Sequence, residues 1–420
     1  MSDWKTFLFT VAFVGVPCSA ILASEWQQWR GPARNGHAES AMVLSPSMAV
    51  TQKWEAAVGT GFSSFAYAKG HVYTAGNQDD QDSIWCLKAE DGSVVWKHSY
   101  PAPLDPNLFE GGPTATPTVV GDRVYVISRK GNLFCLSAQN GEVIWERTVS
   151  DEQKGNIPTW GYAGSALVLN DRVYYNVGSN GLCVNAQTGE TIWESPANEL
   201  PGYTSPLPVT QGERMLLLLE TEKALKAVNP ETGEVHWEHR WVTRYGINAA
   251  DPILISDRRL LLTSGYQKGA VLLEFDHESA KEIWKTREIR SQMSPGVLIG
   301  DLVYAIDGDA GRSPRLVCAE AETGRIKWFA NEVASGSVIA VGNQPAVLTE
   351  AGEFLVLPEK ADTFSPLYRS QVLEGKCWTP MAYGDNMFFA RNAEGRVVCL
   401  SVSLSENPSE KVQTPDSEKP

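Results

Sequence analysis

The chain has 420 residues, 43% of them apolar, and carries 36 Lys+Arg against 50 Asp+Glu for a formal net charge of −14. That acidic balance argues against nucleic acid and anionic membranes as partners. Length alone suggests two or three domains, since single cores stop growing near about 250–300 residues, but internal repeats override that reading.

Residues 1–24 read as a secretory signal: Lys5 supplies the positive charge, Phe7 to Val16 an apolar run, and Ser19, Ala20, Ala23 and Ser24 the small residues of a cleavage region. The run is too short to span a bilayer, and no other stretch is apolar enough. Export to the periplasm or the exterior is expected. Pro17 precedes Cys18 where lipidation requires a small residue, so a lipid anchor is not expected. Residues 25–50 contain Pro, Gly and Ser without periodicity and read as an N-terminal arm laid along the domain that follows.

Residues 51–403 repeat. Gly121 to Trp145 reads as short apolar strands separated by Gly121-Asp122, Lys130-Gly131-Asn132 and Gln139-Asn140-Gly141. Such turns accept positive φ cheaply and mark β-hairpins. With Pro117 to Val120 in front, the unit is a four-stranded sheet. A tryptophan closes it at Trp96, Trp145, Trp193, Trp237, Trp284 and Trp328, at spacings of 44 to 49 residues. Four residues before each stands Gly92, Gly141, Gly189, Gly233, Ala280 or Gly324. This period, with four strands per period, predicts an all-β fold, an eight-bladed β-propeller of four-stranded antiparallel blades. A seventh unit puts Tyr368 at the Trp position, and an eighth runs out after Val398-Cys399-Leu400. The segment around Trp54 is an orphan fourth strand, so pairing of the N- and C-terminal strands would close the ring and remove its open edges. From residue 404 the chain has no apolar pattern and is expected to be disordered.

Cys86, Cys135, Cys183, Cys318 and Cys399 all fall in third strands. Equivalent positions on adjacent blades are about 10 Å apart, too far for a disulfide, so free buried thiols are expected. Cys377 is off-pattern.

The segments AQNGEVIW, AQTGETIW, NPETGEVHW and AETGRIKW resemble the signature of the PQQ-like β-propeller repeat, a family that includes quinoprotein alcohol dehydrogenases and BamB-type outer-membrane assembly lipoproteins. The leader Trp26 to Gly36, WQQWRGPARNG, resembles that of secreted PQQ-like propellers in planctomycete-type bacteria. The resemblance implies fold more than function. It implies that Trp54 and the six periodic tryptophans are wedges between blades.

Propellers work at the mouth of the central channel, where one blade's last strand passes to the next blade's first. Those junctions carry Phe62, Trp160, Tyr162, Tyr203, Tyr245, Asn248 and Trp378, aromatics beside Gly and small polar residues that suit stacking on a flat ring or sugar face. The Ser99–Pro113 and Thr148–Trp160 loops are the next candidates. The dehydrogenases of the family hold PQQ between a Trp and a vicinal disulfide, with calcium on Glu, Asn and Asp. Here no two cysteines are adjacent; Asn248 and Asp251 could imitate two oxygen ligands, and Trp160 or Trp378 a floor. The six histidines are scattered, and no nucleophile elbow or phosphate loop occurs. The expectation is a monomeric, non-catalytic binding or scaffold propeller with a protein or carbohydrate partner and neither cofactor nor metal. The alternative is a PQQ- and calcium-dependent alcohol or sugar dehydrogenase.

Overall fold

The computed structural model describes residues 25–40, 42–309 and 312–404. The expected signal segment, Cys18 and the tail from 405 onward lie outside the described residues. Eight sheets of antiparallel strands ring one axis. Blade 1 comprises Ala66–Ala68, His71–Gln78, Gln81–Lys88 and Val94–Pro101, and blade 2 Thr118–Val120, Arg123–Ile127, Asn132–Ser137 and Val143–Thr148. Blades 3 to 7 begin at Leu167–Leu169, Leu207–Gln211, Ile253–Ser256, Val297–Ile299 and Gly336–Val341. Blade 8 contributes Ala382–Gly384, Met387–Arg391 and Arg396–Leu404, and takes its fourth strand from Met48–Ala57. Trp54 pairs with Cys399, so the ring closes as its sequence predicts. The closing strand starts three residues earlier than the period suggests.

First strands of neighbouring blades touch and lie innermost, while fourth strands form the half-exposed rim. In five blades one row crosses the sheet from an aromatic through a cysteine to a tryptophan: Tyr73, Cys86 and Trp96; Tyr125, Cys135 and Trp145; Tyr174, Cys183 and Trp193; Tyr304, Cys318 and Trp328; Phe389, Cys399 and Trp54. A small cysteine between two large rings lets both lie on the sheet and fill the gap to the next blade at normal packing density. All five thiols, and that of Cys377, are free and buried.

Each tryptophan docks on the following blade. Trp54 Nε1 donates to the Ala89 carbonyl at 2.9 Å, Trp96 to Ala138 at 2.9 Å, Trp145 to Ala186 at 3.0 Å, Trp193 to Pro230 at 3.0 Å and Trp328 to Ala361 at 2.7 Å. The glycine of the next blade lies beneath the ring. A Cβ on Gly92, whose φ is +74°, would stand 2.6 Å from Trp54 Cε3. The periodic glycine therefore serves its neighbour's tryptophan as well as its own turn. Blade 5 solves the contact differently: Ala280 lies in the fourth strand rather than a turn, and Trp237 donates to Asp276 at 2.8 Å. Trp284 Nε1 is buried without a partner.

The arm runs along the first strands of the blades. It enters the channel. Trp26 bridges Tyr67 in blade 1, the Gln27 carbonyl accepts from the Val119 amide in blade 2, and His37–Ala38 adds a parallel strand to Gly336–Val341 in blade 7. Ser40 Oγ is 3.1 Å from the Tyr383 hydroxyl in blade 8. The two ends of the arm sit beside the first turns of the blades, and the turn between them, Trp29 to Gly36, projects up the channel.

Candidate functional site

The opposite end of the channel, at the blade junctions, is rimmed by aromatic pairs. Phe62 lies 5.9 Å from Trp378, Trp160 lies 5.8 Å from Tyr203, and Tyr245 meets Tyr266 edge-on at 5.1 Å, all between ring centroids. Each pair joins rings from different blades or hairpins, so the junction sequence and the ring closure together create it. Trp378 Nε1 donates to Glu350 Oε1 at 2.8 Å, and the Lys376 ammonium sits 4.3 Å above the same indole. Burial pushes the Tyr203 phenol up to about 12, so it stays protonated at neutral pH and acts as a donor, not a base.

The loop after blade 1 crosses this mouth as a strap. The Leu104 amide donates to Asp80 Oδ1 at 2.8 Å, and Lys130 approaches Asp105 at 3.7 Å. Trp160 Nε1 donates to the Asn107 carbonyl at 2.7 Å. Phe109 packs tilted against Phe62 at 5.5 Å between centroids, the Arg129 guanidinium lies 5.5 Å from the Phe109 ring, and Lys376 pairs with Glu110 at 2.6 Å. Gly112 permits the landing: at φ +80°, a Cβ there would stand 2.3 Å from the Thr60 carbonyl oxygen. The strap presents Leu108 at its tip, 90% exposed. The Ser99–Pro113 loop and the junction aromatics are thus parts of one surface. The Thr148–Trp160 segment contains a single helical turn, Asp151–Lys154, capped by Ser150, which the sequence did not suggest.

The structure brings Phe62, Trp160, Tyr203, Tyr245 and Trp378 to the mouth. Two predicted residues do not reach its surface. Tyr162 is buried in the core of blades 2 and 3, its hydroxyl donating to the Gln153 carbonyl at 3.3 Å. Asn248 is fully buried; its Nδ2 donates to the Thr221 and Trp241 carbonyls at 2.8 and 3.0 Å, and its Oδ1 accepts from Ser264 Oγ at 3.0 Å. It is a latch between the Thr221 turn and the junction before blade 5. Phe109, Glu110, Arg129, Tyr266 and Glu350 were missed. None belongs to a junction motif, and only the strap's unusual length signalled two of them.

Deeper in the channel the arm meets a buried polar layer. Trp29 Nε1 donates to Asp251 Oδ2, and the Ser205 amide donates to Asp251 Oδ1 at 2.8 Å. Arg30 donates to the Arg34, Asn35 and Gly296 carbonyls, and Arg34 to Gln28 Oε1 and the Ala166 and Ser165 carbonyls. Desolvation lowers both guanidinium groups to about 10, against the opposing pull of Asp251. Glu220, next to this layer, is buried with neither carboxyl oxygen hydrogen-bonded, and burial together with the Asp251 charge raises it well above the ordinary carboxylate range.

Those contacts decide whether the residues suit a quinone–calcium centre. Asn248 and Asp251 have their oxygens committed to Ser264, Trp29 and Ser205. Among the described residues no three His, Cys, Asp or Glu side chains are grouped as a metal site requires. Trp160 packs on Tyr203 and Trp378 on Phe62, and the space beside Trp378 is only about 20 Å³, too small for a quinone. As arranged, these residues do not fit that centre.

A closed eight-bladed ring with an indole docked on seven of its eight blades is the architecture of a PQQ-like propeller. The family model described as outer membrane protein assembly factor BamB matches residues 105–330, and the chain belongs to that family. No curated protein matches the sequence. Among solved structures, BamB from Moraxella catarrhalis is similar at 18% identity, covering 84% of this chain and 98% of its own, with a TM-score of 0.62. A quinohemoprotein alcohol dehydrogenase from Pseudomonas putida HK5 is similar at 14% identity over 94% of this chain and 83% of its own, TM-score 0.65. That from Comamonas testosteroni is similar at 13% over 90% and 80%, TM-score 0.66. At such identities the likeness is one of fold.

Proposed function

We propose that the chain is an exported, monomeric, non-catalytic propeller that binds a protein or carbohydrate partner at the strapped mouth and requires neither cofactor nor metal. The observation that carries this reading is the contact between Trp29 and Asp251: the arm occupies the carboxylate that was the candidate oxygen ligand of a quinone–calcium centre. Family membership supports a binding role. The exposed apolar groups at the mouth include an aromatic ring, Tyr245, 58% accessible, and the aliphatic Leu108, 90% accessible. Rings of this kind anchor interfaces and sugar faces because they bury a large area at little rotamer cost.

Site-specific photocrosslinking in the native host tests it. A benzoylphenylalanine at Leu108 or Tyr245 should give discrete adducts, and one at Val143 on the outer rim of blade 2 should not. The adducts should disappear when Tyr203→Ala and Trp378→Ala are combined in a protein of unchanged far-UV circular dichroism. Adducts from Val143 alone would place binding on the rim and contradict the proposal.

A further inference from the structure

Beneath the arm, at the end of the channel away from the mouth, lies a cavity of about 200 Å³. One wall is polar and comes from the arm: Arg30, Arg34 and His37. The other is apolar and comes from the first strands of blades 4 to 6: Leu207, Leu254 and Leu298.

The polar wall carries an unbalanced charge. Both guanidinium groups are buried, with residue exposures of 5% and 3%. Each uses three N–H donors on protein acceptors. A guanidinium has five, so two on each remain without a hydrogen-bond partner among the described residues. No carboxylate forms an ion pair with either one there. Asp251 is the neighbouring charge, and its oxygens go to Trp29 and Ser205 instead. Glu220 makes no ion pair with either arginine, and burial and the Asp251 charge both raise its carboxyl above the ordinary range. Two buried cations thus share one carboxylate at a distance, beside an open space. Buried charges are ordinarily paired, so the space calls for an anion.

The apolar wall says what kind. A hydrated inorganic ion gains nothing from Leu207, Leu254 and Leu298, whereas an aliphatic body gains about 0.8 kcal/mol per buried methylene. The volume equals roughly six or seven waters and falls below the range of about 300–1,000 Å³ typical of cofactor and drug-sized pockets. We propose that this cavity binds a small organic carboxylate, its carboxylate on Arg30 and Arg34 and its short alkyl body against the leucines. The site is independent of the mouth and of the function proposed for it.

Calorimetry on the mature chain, with butyrate, butanol and sulfate as probes, tests the assignment. Butyrate should bind and the other two should not. Arg34→Gln should weaken butyrate about tenfold or more, the loss expected for a charge-assisted contact. That variant loosens the arm, so a second is needed: Leu254→Trp fills the cavity, leaves both arginines in place, and should abolish butyrate binding without lowering the melting temperature. Butanol binding as well as butyrate, sulfate binding as well or better, unchanged butyrate binding in Leu254→Trp, or no measurable butyrate binding to the parent protein would each overturn it.

Discussion

The Trp29 indole ends on Asp251, 222 residues further along the chain, and that hydrogen bond anchors the turn of the arm in the channel. The same carboxylate is the counterion for Arg30 and Arg34. Asp251→Ala should therefore cost stability, about 3–5 kcal/mol, because it leaves two buried cations uncompensated. Trp29→Phe removes the donor and keeps most of the packing; it should cost about 1–3 kcal/mol. Denaturant melts of the two variants check the order. Equal small effects would mean the arm is not anchored there.

The closing interface should behave like the others. Trp54→Ala deletes an indole docked on Ala89 and Gly92 and should destabilise by about 3–5 kcal/mol. Gly92→Ala should cost about 1–3 kcal/mol by overpacking the same ring. Trp284 is the exception. Its N–H has no acceptor, so Trp284→Phe should be nearly neutral, whereas Trp328→Phe strands the Ala361 carbonyl and costs about 1 kcal/mol or more.

Glu220 predicts a pH signature. In the unfolded chain it ionises above about pH 4.3, while in the folded channel its value is raised well above that. Between the two values the folded state binds more protons than the unfolded one. Stability contributed by this group is therefore full below the unfolded value and falls as pH rises toward the folded one, by about 1.4 kcal/mol per unit of separation. Glu220→Gln removes the slope. Its melting temperature should exceed that of the parent at about pH 8 and converge with it near pH 4. A constant offset at all pH values would show that Glu220 does not titrate this way.

The cysteines should be silent. Burial pushes Cys86, Cys377 and Cys399 up to about 12, and Cys183 and Cys318 up to about 11. Because the thiolate is the nucleophile, these six buried thiols, Cys135 included, should resist a thiol reagent in the native protein and react together on unfolding. Early modification of any of the six would show a locally open blade.

The ring, its closure at Trp54 and the docking tryptophans were legible because each blade repeats one local pattern of turn glycine, apolar run and indole. Trp160, Tyr203 and Trp378 were found at the mouth because junctions recur at known places in that repeat. Phe109, Glu110 and the Trp29–Asp251 contact were not legible. They depend on where nonrepeating segments return in space, and nothing in the periodicity of WQQWRGPARNG says that its arginines enter the channel. Asn248 shows the converse failure: a polar residue at a junction can look like a ligand and instead satisfy backbone carbonyls.

The most direct test of the non-catalytic reading is to titrate PQQ with calcium into the purified protein, following quinone absorbance and dye-linked oxidation of alcohols and sugars. With Asp251 held by Trp29 and Asn248 by Ser264, the predicted result is no saturable spectral change and no turnover. Saturable PQQ binding with turnover that is lost in a folded Asp251→Asn variant would contradict it and make the chain a quinoprotein dehydrogenase.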